Sequence, residues 1–174
     1  GLEILASLRK RIKARDIKFI LVAGSRKEVR DYFISGIKQL GLFRELGRGV
    51  EVLYEETRPR YFSTFENTLR RTDILWTKPS ELSFYAGLGM PIIIAPTVGS
   101  QEEFNKMWLT QVGAGSPQFN PANTDEWLFD WVESGAFARM AWNGFIEAPT
   151  HGVYRIEDII AGRPTELSDL QMIV

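Results

Sequence analysis

Four short apolar runs, separated by segments of helical spacing, constrain this chain more than any other feature. Residues 18–23 (KFILVA) form a continuous apolar stretch rich in β-formers. Such a run, without polar alternation, suits a strand covered on both faces. Residues 50–54, 73–77 and 91–95 repeat the pattern. Residues 27–40, 59–71, 80–88 and 101–111 lie between and after these runs. In the first of them Val29, Phe33, Ile37 and Leu40 recur at helical spacing, and in the second Phe62, Phe65 and Leu69 share a face. Gly41 and Gly113 are the expected helix stops. Parallel strands need long crossovers, and a helix supplies one that packs back on the sheet. The expected fold class is therefore α/β: a Rossmann-like parallel sheet with helices on both faces, followed by C-terminal helices.

The flanks read differently. Residues 2–15 place Leu2, Leu5, Leu8 and Ile12 at helical spacing, with Arg9, Lys10, Arg11, Lys13 and Arg15 among them. An ordinary amphipathic helix with a solvated basic face is expected, in preference to a membrane-surface or interdomain helix. Beyond Gly115 the strand–helix alternation stops. Asn123 or Thr124 is placed to cap a helix bearing Trp127, Leu128, Trp131 and Val132. A second helix is expected over 133–146, and a short helical piece, 156–161, in the tail 150–174. A length of 174 residues suits a single domain, 1–174. The chain opens Gly1-Leu2 without a methionine, and the expectation is a domain cut from a longer protein.

Composition removes whole function classes. A formal net charge of -1 supplies no general attraction for nucleic acid, and none is expected as partner. There is no cysteine and one histidine, His151, so thiolate and histidine-cluster metal sites are excluded, and no metal or cofactor is expected. His151, in the loop Pro149-Thr150-His151-Gly152, reads as structural or exposed, and no nucleophile–base pair stands out. No apolar run approaches the ~20 residues of a membrane span, and no signal peptide is visible; a cytoplasmic location is expected.

Polar residues gather where the strands end, which is where open α/β sheets bind ligands. Gly24 permits close backbone approach, and Ser25, Arg26 and Lys27 begin the following helix, whose free N–H groups favour phosphate. The competing reading is a plain turn with solvated cations. A G-x-G-x-x-G fingerprint and a Walker A sequence are both absent. Lys78-Pro79-Ser80 ends the third run, where Ser80 is also placed to cap a helix. Gly99-Ser100-Gln101 opens another helix, and Gln101 and Asn105, four apart, share a face. Paired amides offer the donors and acceptors that sugar hydroxyls need, although exposed helix polars would look the same.

From Thr77-Lys78-Pro79 to Gly99-x-Gln101-x-x-x-Asn105, with Gly89-x-Pro91 between and Gly113-Ala114-Gly115 after, the chain resembles the C-terminal, nucleotide-sugar-binding domain of GT-B glycosyltransferases. The nearest group contains the lipid II N-acetylglucosaminyltransferase and the diacylglycerol glycosyltransferases. Element order matches over about residues 17 to 145, but recognisable motifs are confined to 73–115. The resemblance implies a UDP-sugar donor, contacted by Gln101 and Asn105 beside Gly99 and Ser100. It places the diphosphate against Gly24, Ser25 and Arg26, and the nucleoside near Tyr54, Lys78, Ser80 and Glu81. It implies an N-terminal acceptor-binding domain as partner, with any contact to the inner membrane face made through that domain. The catalytic residues are not assigned. In the family a Glu five residues before the Gly of G-x-P holds the ribose; here that position is Phe84, and Glu81 lies one turn earlier. Two other readings stay open: a non-catalytic scaffold derived from such an enzyme, and a different Rossmann-like enzyme. The missing dinucleotide fingerprint argues against a nicotinamide-dependent member of the last class.

Overall fold

The computed structural model describes residues 1–80, 82–149 and 152–163. The expected runs form parallel strands: β1 (Phe19–Gly24), β2 (Val50–Tyr54), β3 (Leu75–Thr77) and β4 (Ile92–Ile94). Helices α3 (Lys27–Gln39), α4 (Arg58–Leu69) and α5 (Leu82–Gly87) carry the crossovers, and α6 (Ser100–Val112) follows β4. The α/β class with flanking helices holds. The strands pair as two ladders, β1 with β2 and β3–β4–β5, rather than as one hydrogen-bonded sheet.

β5 (Gly115–Pro117) is a strand that apolar patterning does not reveal. Gly-Ser-Pro has no hydrophobic period. What makes it a strand is its neighbour: Gly115 pairs with Ile92 so closely that a Cβ there would lie 2.8 Å from the Ile92 carbonyl oxygen.

Side chains alternate faces along a strand, and β4 shows what that does here. Ile92 and Ile94 enter one core with Leu82, Tyr85, Ala86 and Leu109. Ile93 enters the other, with Leu21 of β1, Val50 of β2 and Ile37 of α3. That second core joins the two ladders through side chains, with Trp76 of β3 packed against it.

Several boundaries differ from the expectation. The N-terminal helix divides into α1 (Leu2–Ser7) and α2 (Arg9–Ala14) at Leu8, whose ψ is 3°. The hydrogen bonds Leu8 N–Ile4 O and Ile12 N–Leu8 O, both 3.0 Å, keep one apolar face, and Leu5, Leu8 and Ile12 are buried as spaced. α7 (Thr124–Glu133) and α8 (Ala136–Glu147) are separated by Gly135 at φ 70°, so the helix expected from residue 133 starts later. Neither expected cap bonds the first turn of α7: Thr124 is buried, its Oγ1 donating to Pro121 O at 2.7 Å. Instead Asn120 accepts from Ala122 N at 3.0 Å, capping the 3-10 turn Pro121–Asn123. β1 is less covered than a doubly buried strand, with Val22 42% exposed. Phe62, on the helical face shared with Phe65 and Leu69, is 65% exposed. The tail helix, α9, spans Gly152–Ile160. His151 and residues 164–174 lie outside the described residues. No helix among the described residues is long and apolar enough to cross a membrane.

One ion-pair cluster ties β2 to the chain around it. Glu51 receives Lys18 at 2.5 Å and Arg71 at 2.7 Å. The Arg71 hydrogen bond, helped by Lys18, holds the Glu51 carboxyl below its ordinary value against the opposing effect of partial burial. A carboxyl with a lowered native pKa adds stability that is complete above its unfolded pKa and is lost as the pH falls through the native value. Glu51→Gln is therefore expected to cost about 0.5–1 kcal/mol at neutral pH. In urea unfolding followed against pH, the gap between the two proteins should close as the pH drops below the ordinary glutamate range. A gap that persists at low pH would mean that packing, not charge, is at work.

Candidate functional site

β1 ends in an irregularity. Its register with β2 shifts between Val22 and Gly24, leaving Ala23 bulged, and Gly24 takes φ 65°. Gly24 is open: a Cβ there would meet nothing within 4 Å. A bulge with glycine in the left-handed region turns the chain and re-aims the residues after it. Here those residues are Ser25 and Arg26, both exposed, and then the first turn of α3. Arg26 is the N-cap of α3 and makes no side-chain cap bond.

The second helix terminus lies at the same place. α4 begins at Arg58 after Thr57, again with no side-chain cap bond. A cleft of about 530 Å³ is lined by Val22, Ala23, Gly24, Ser25 and Arg26 from the first turn and by Arg58, Tyr61 and Phe62 from α4. Two helix N-termini thus open on one cleft, each with unsatisfied N–H groups and the positive end of a helix dipole. Neither Arg26 nor Arg58 has a carboxylate partner among the described residues. Tyr61 stacks on Phe65 with ring centroids 5.6 Å apart. This combination can receive an anion beside a flat aromatic group.

Arg58, Tyr61 and Phe62 are absent from the residues expected at the site. The signal was present: α4 leaves the end of β2, so residues of its first turns stand next to the end of β1. The core-like spacing of Phe62 obscured it.

Tyr54 pairs with Gly24 across the ladder, so the expected nucleoside contact does adjoin the expected phosphate turn. The Arg30 guanidinium sits 4.7 Å from the centre of the Tyr54 ring and covers one of its faces. Arg30 also bonds Asp31 at 2.7 Å, which raises its own pKa. A base stacking on Tyr54 has to use the opposite face.

The remaining expected residues assemble at the ends of β3 and β4. Ala95 N donates to Thr77 O at 2.9 Å, joining the two loops. Gly99, the N-cap of α6, takes φ 96° with open space at its Cβ position, and exposed Ser100 and Gln101 come next. Asn105 is half-buried and its Nδ2 donates to Pro79 O at 2.9 Å, so this amide fixes the Thr77-Lys78-Pro79 turn against α6. Lys78 Nζ lies 3.9 Å from Glu102 Oε2, which also accepts from Val98 N at 2.5 Å. Glu103 accepts from Lys106 at 2.6 Å and from Thr97 at 2.8 Å, and these bonds hold its carboxyl below the ordinary value. The turn after β4 is thus braced by acidic side chains of α6. Ser80 is exposed; its backbone N–H donates to Lys78 O at 2.8 Å. Glu81 lies outside the described residues.

The expected residues therefore fall into two clusters, one per ladder. Gly24, Ser25, Arg26 and Tyr54 belong to the first, and Lys78, Ser80, Gly99, Ser100, Gln101 and Asn105 to the second.

A larger cleft, about 820 Å³, lies where β3 and β4 begin. Leu69, Ile74, Leu88, Met90 and Phe137 are among its walls, and Arg70, its cation, is paired with Glu66 at 2.6 Å. It offers no free positive charge to a phosphate. Phe84 is 60% exposed and lines this cleft, so it is neither a core residue nor turned to the strand ends.

The chain matches no protein-family model and no curated protein sequence.

Proposed function

We propose that this chain is the donor-binding domain of a glycosyltransferase, holding a UDP-sugar at the ends of its parallel strands. The observation that carries the reading is the cleft at the end of β1. An open glycine turn, two helix N-termini without a side-chain cap and two arginines unpaired among the described residues converge there beside aromatic rings. That is the chemistry of a nucleoside diphosphate: an anion for the N–H groups and guanidinium groups, and a flat base for the rings. The cluster around Gln101 and Asn105 would take the hexosyl group.

In this reading the role of Arg26, Arg58 and the helix-terminal amides is electrostatic. As the bond from the sugar C1 to the phosphate oxygen breaks, negative charge grows on the departing diphosphate, and fixed donors aimed at it lower the barrier. The acceptor and the base that deprotonates it would come from an N-terminal domain, so the chain alone binds its donor without turnover. A cytoplasmic position, at the inner face of a membrane through that second domain, belongs to the same proposal.

Calorimetric titration of the chain with UDP and UDP-sugars tests it. Saturable heat at sub-millimolar to millimolar ligand is expected, roughly the 4 kcal/mol or more of a weak domain complex. No heat at millimolar UDP would sink the reading.

A second reading, a scaffold that kept the fold and lost the activity, is favoured by Phe84, which stands in place of a ribose-holding carboxylate and faces the other edge of the sheet. Replacing Gln101 and Asn105 together in the full-length protein separates the two. Lost cellular function supports the donor site, and unchanged function supports the scaffold.

A further inference from the structure

Charge is distributed unevenly over this nearly neutral chain. Arg9, Lys10, Lys13 and Arg15, on α2 and at its C-cap, are all exposed. The connection from α3 to β2 lies against the same helix: the Arg9 guanidinium is 3.3 Å from the Cβ position of Gly41, and Ile12 is 2.9 Å from that of Gly49. The last turn of α3 and this connection add Lys38, Arg44 and Arg48, also exposed. None of these seven cations forms an ion pair among the described residues. The acids within the two segments are Asp16, which Arg11 engages at 3.4 Å, and Glu45.

Arg15, at φ 65°, is the C-cap of α2, and its left-handed turn closes the helix through Arg15 N–Ile12 O at 3.1 Å and Asp16 N–Arg11 O at 3.0 Å. Phe43, in the 3-10 turn Phe43–Glu45, is 52% exposed in the middle of the cations, with Lys38 Nζ 5.1 Å from its ring centre. Aromatic rings among lysines and arginines suit the boundary between lipid headgroups and acyl chains.

We propose that this surface docks the protein on an anionic lipid bilayer, with the cations of α2 and of the α3–β2 connection on the headgroups and Phe43 inserted between them. Single-stranded nucleic acid needs a basic groove with successive stacking rings. Here Phe43 is the exposed ring among these cations, while Phe129 is half-buried with Arg11 4.0 Å over its centre, and no residue of the surface lines either cleft. The placement also fits the proposed nucleotide site. α2 leads into the start of β1, and the Phe43–Gly49 stretch leads into the start of β2, so the surface lies at the opposite end of β1 from Gly24, about 20 Å away. A docked protein would keep its cleft open to solvent.

Cosedimentation with vesicles tests this directly. The chain should bind vesicles containing about 30% phosphatidylglycerol in phosphatidylcholine, ignore pure phosphatidylcholine, and release at ~0.5 M salt. The triple variant Arg9→Glu, Arg44→Glu, Arg48→Glu should bind at least about 30-fold more weakly. Phe43→Ser should weaken binding roughly 3- to 10-fold and leave the salt dependence in place. A control with the same change in net charge, Arg70→Glu, Arg139→Glu, Arg163→Glu, should bind as the parent does. All the altered side chains are exposed, and melting curves confirm that each variant is folded. Equal loss in the control, equal binding to neutral vesicles, or binding of mixed-sequence single-stranded RNA in place of anionic vesicles would each overturn the proposal.

Discussion

Ile93→Ala should cost about 2–5 kcal/mol, the range for emptying a fully buried aliphatic site. Ile93 is 0% exposed and sits on the face of β4 that meets Leu21, Val50 and Ile37. Among the described residues no continuous hydrogen-bonded ladder runs from β1 to β3, so the junction between the two parallel ladders rests on side-chain packing in the core that Ile93 enters. The methyl groups removed would leave a cavity walled by strands and helices, and neither can collapse far into it. For a chain of this size the melting temperature should fall by ~5–15 °C. Ile93→Val, which removes one methyl, should cost only about 0.5–1.5 kcal/mol. Urea unfolding of the two variants beside the parent checks the ratio. A loss under about 1 kcal/mol for Ile93→Ala would mean that the two ladders are not held together through this core.

The largest functional effect is expected from the arginines of the first cleft. Replacing Arg26 and Arg58 by alanine together should weaken UDP binding ~100-fold, about 1.4 kcal/mol for each charge-assisted contact. Both side chains are exposed and unpaired among the described residues, so stability should hardly change. That separates lost recognition from lost fold. Gln101→Ala should behave differently, weakening UDP-sugar and leaving UDP untouched, since it stands in the other cluster. The diagnostic quantity is the difference between the two ligands in one titration series. If the double arginine variant binds UDP as the parent does, the diphosphate is not held between α3 and α4.

The expectations from sequence were strongest where a period was long. α3 needs three turns of spaced apolar residues to bury its face, and its limits in the structure are within a residue of those expected. They were weakest where a neighbour makes the decision. Gly115–Pro117 becomes a strand because Ile92–Ile94 lies beside it, and no local pattern records that. Phe62 has core spacing but stays exposed at the cleft, because α4 packs on the sheet through Phe65 and Leu69 instead. Arg58 carries no local mark of function at all; it matters because α4 starts next to the turn at Gly24.

By itself, then, the sequence determined the α/β class, the order of the first four strands and the polar character of their C-terminal ends. Those come from hydrophobic periodicity and from the glycines at helix stops and turns, which act over a few residues. The tertiary structure alone decided that the strands pair as two ladders joined through a core that Ile93 enters. It also decided that α3 and α4 open on a common cleft, and that the cations of α2 meet those of the α3–β2 connection. These are contacts between segments far apart in the chain, and packing, not local preference, sets them.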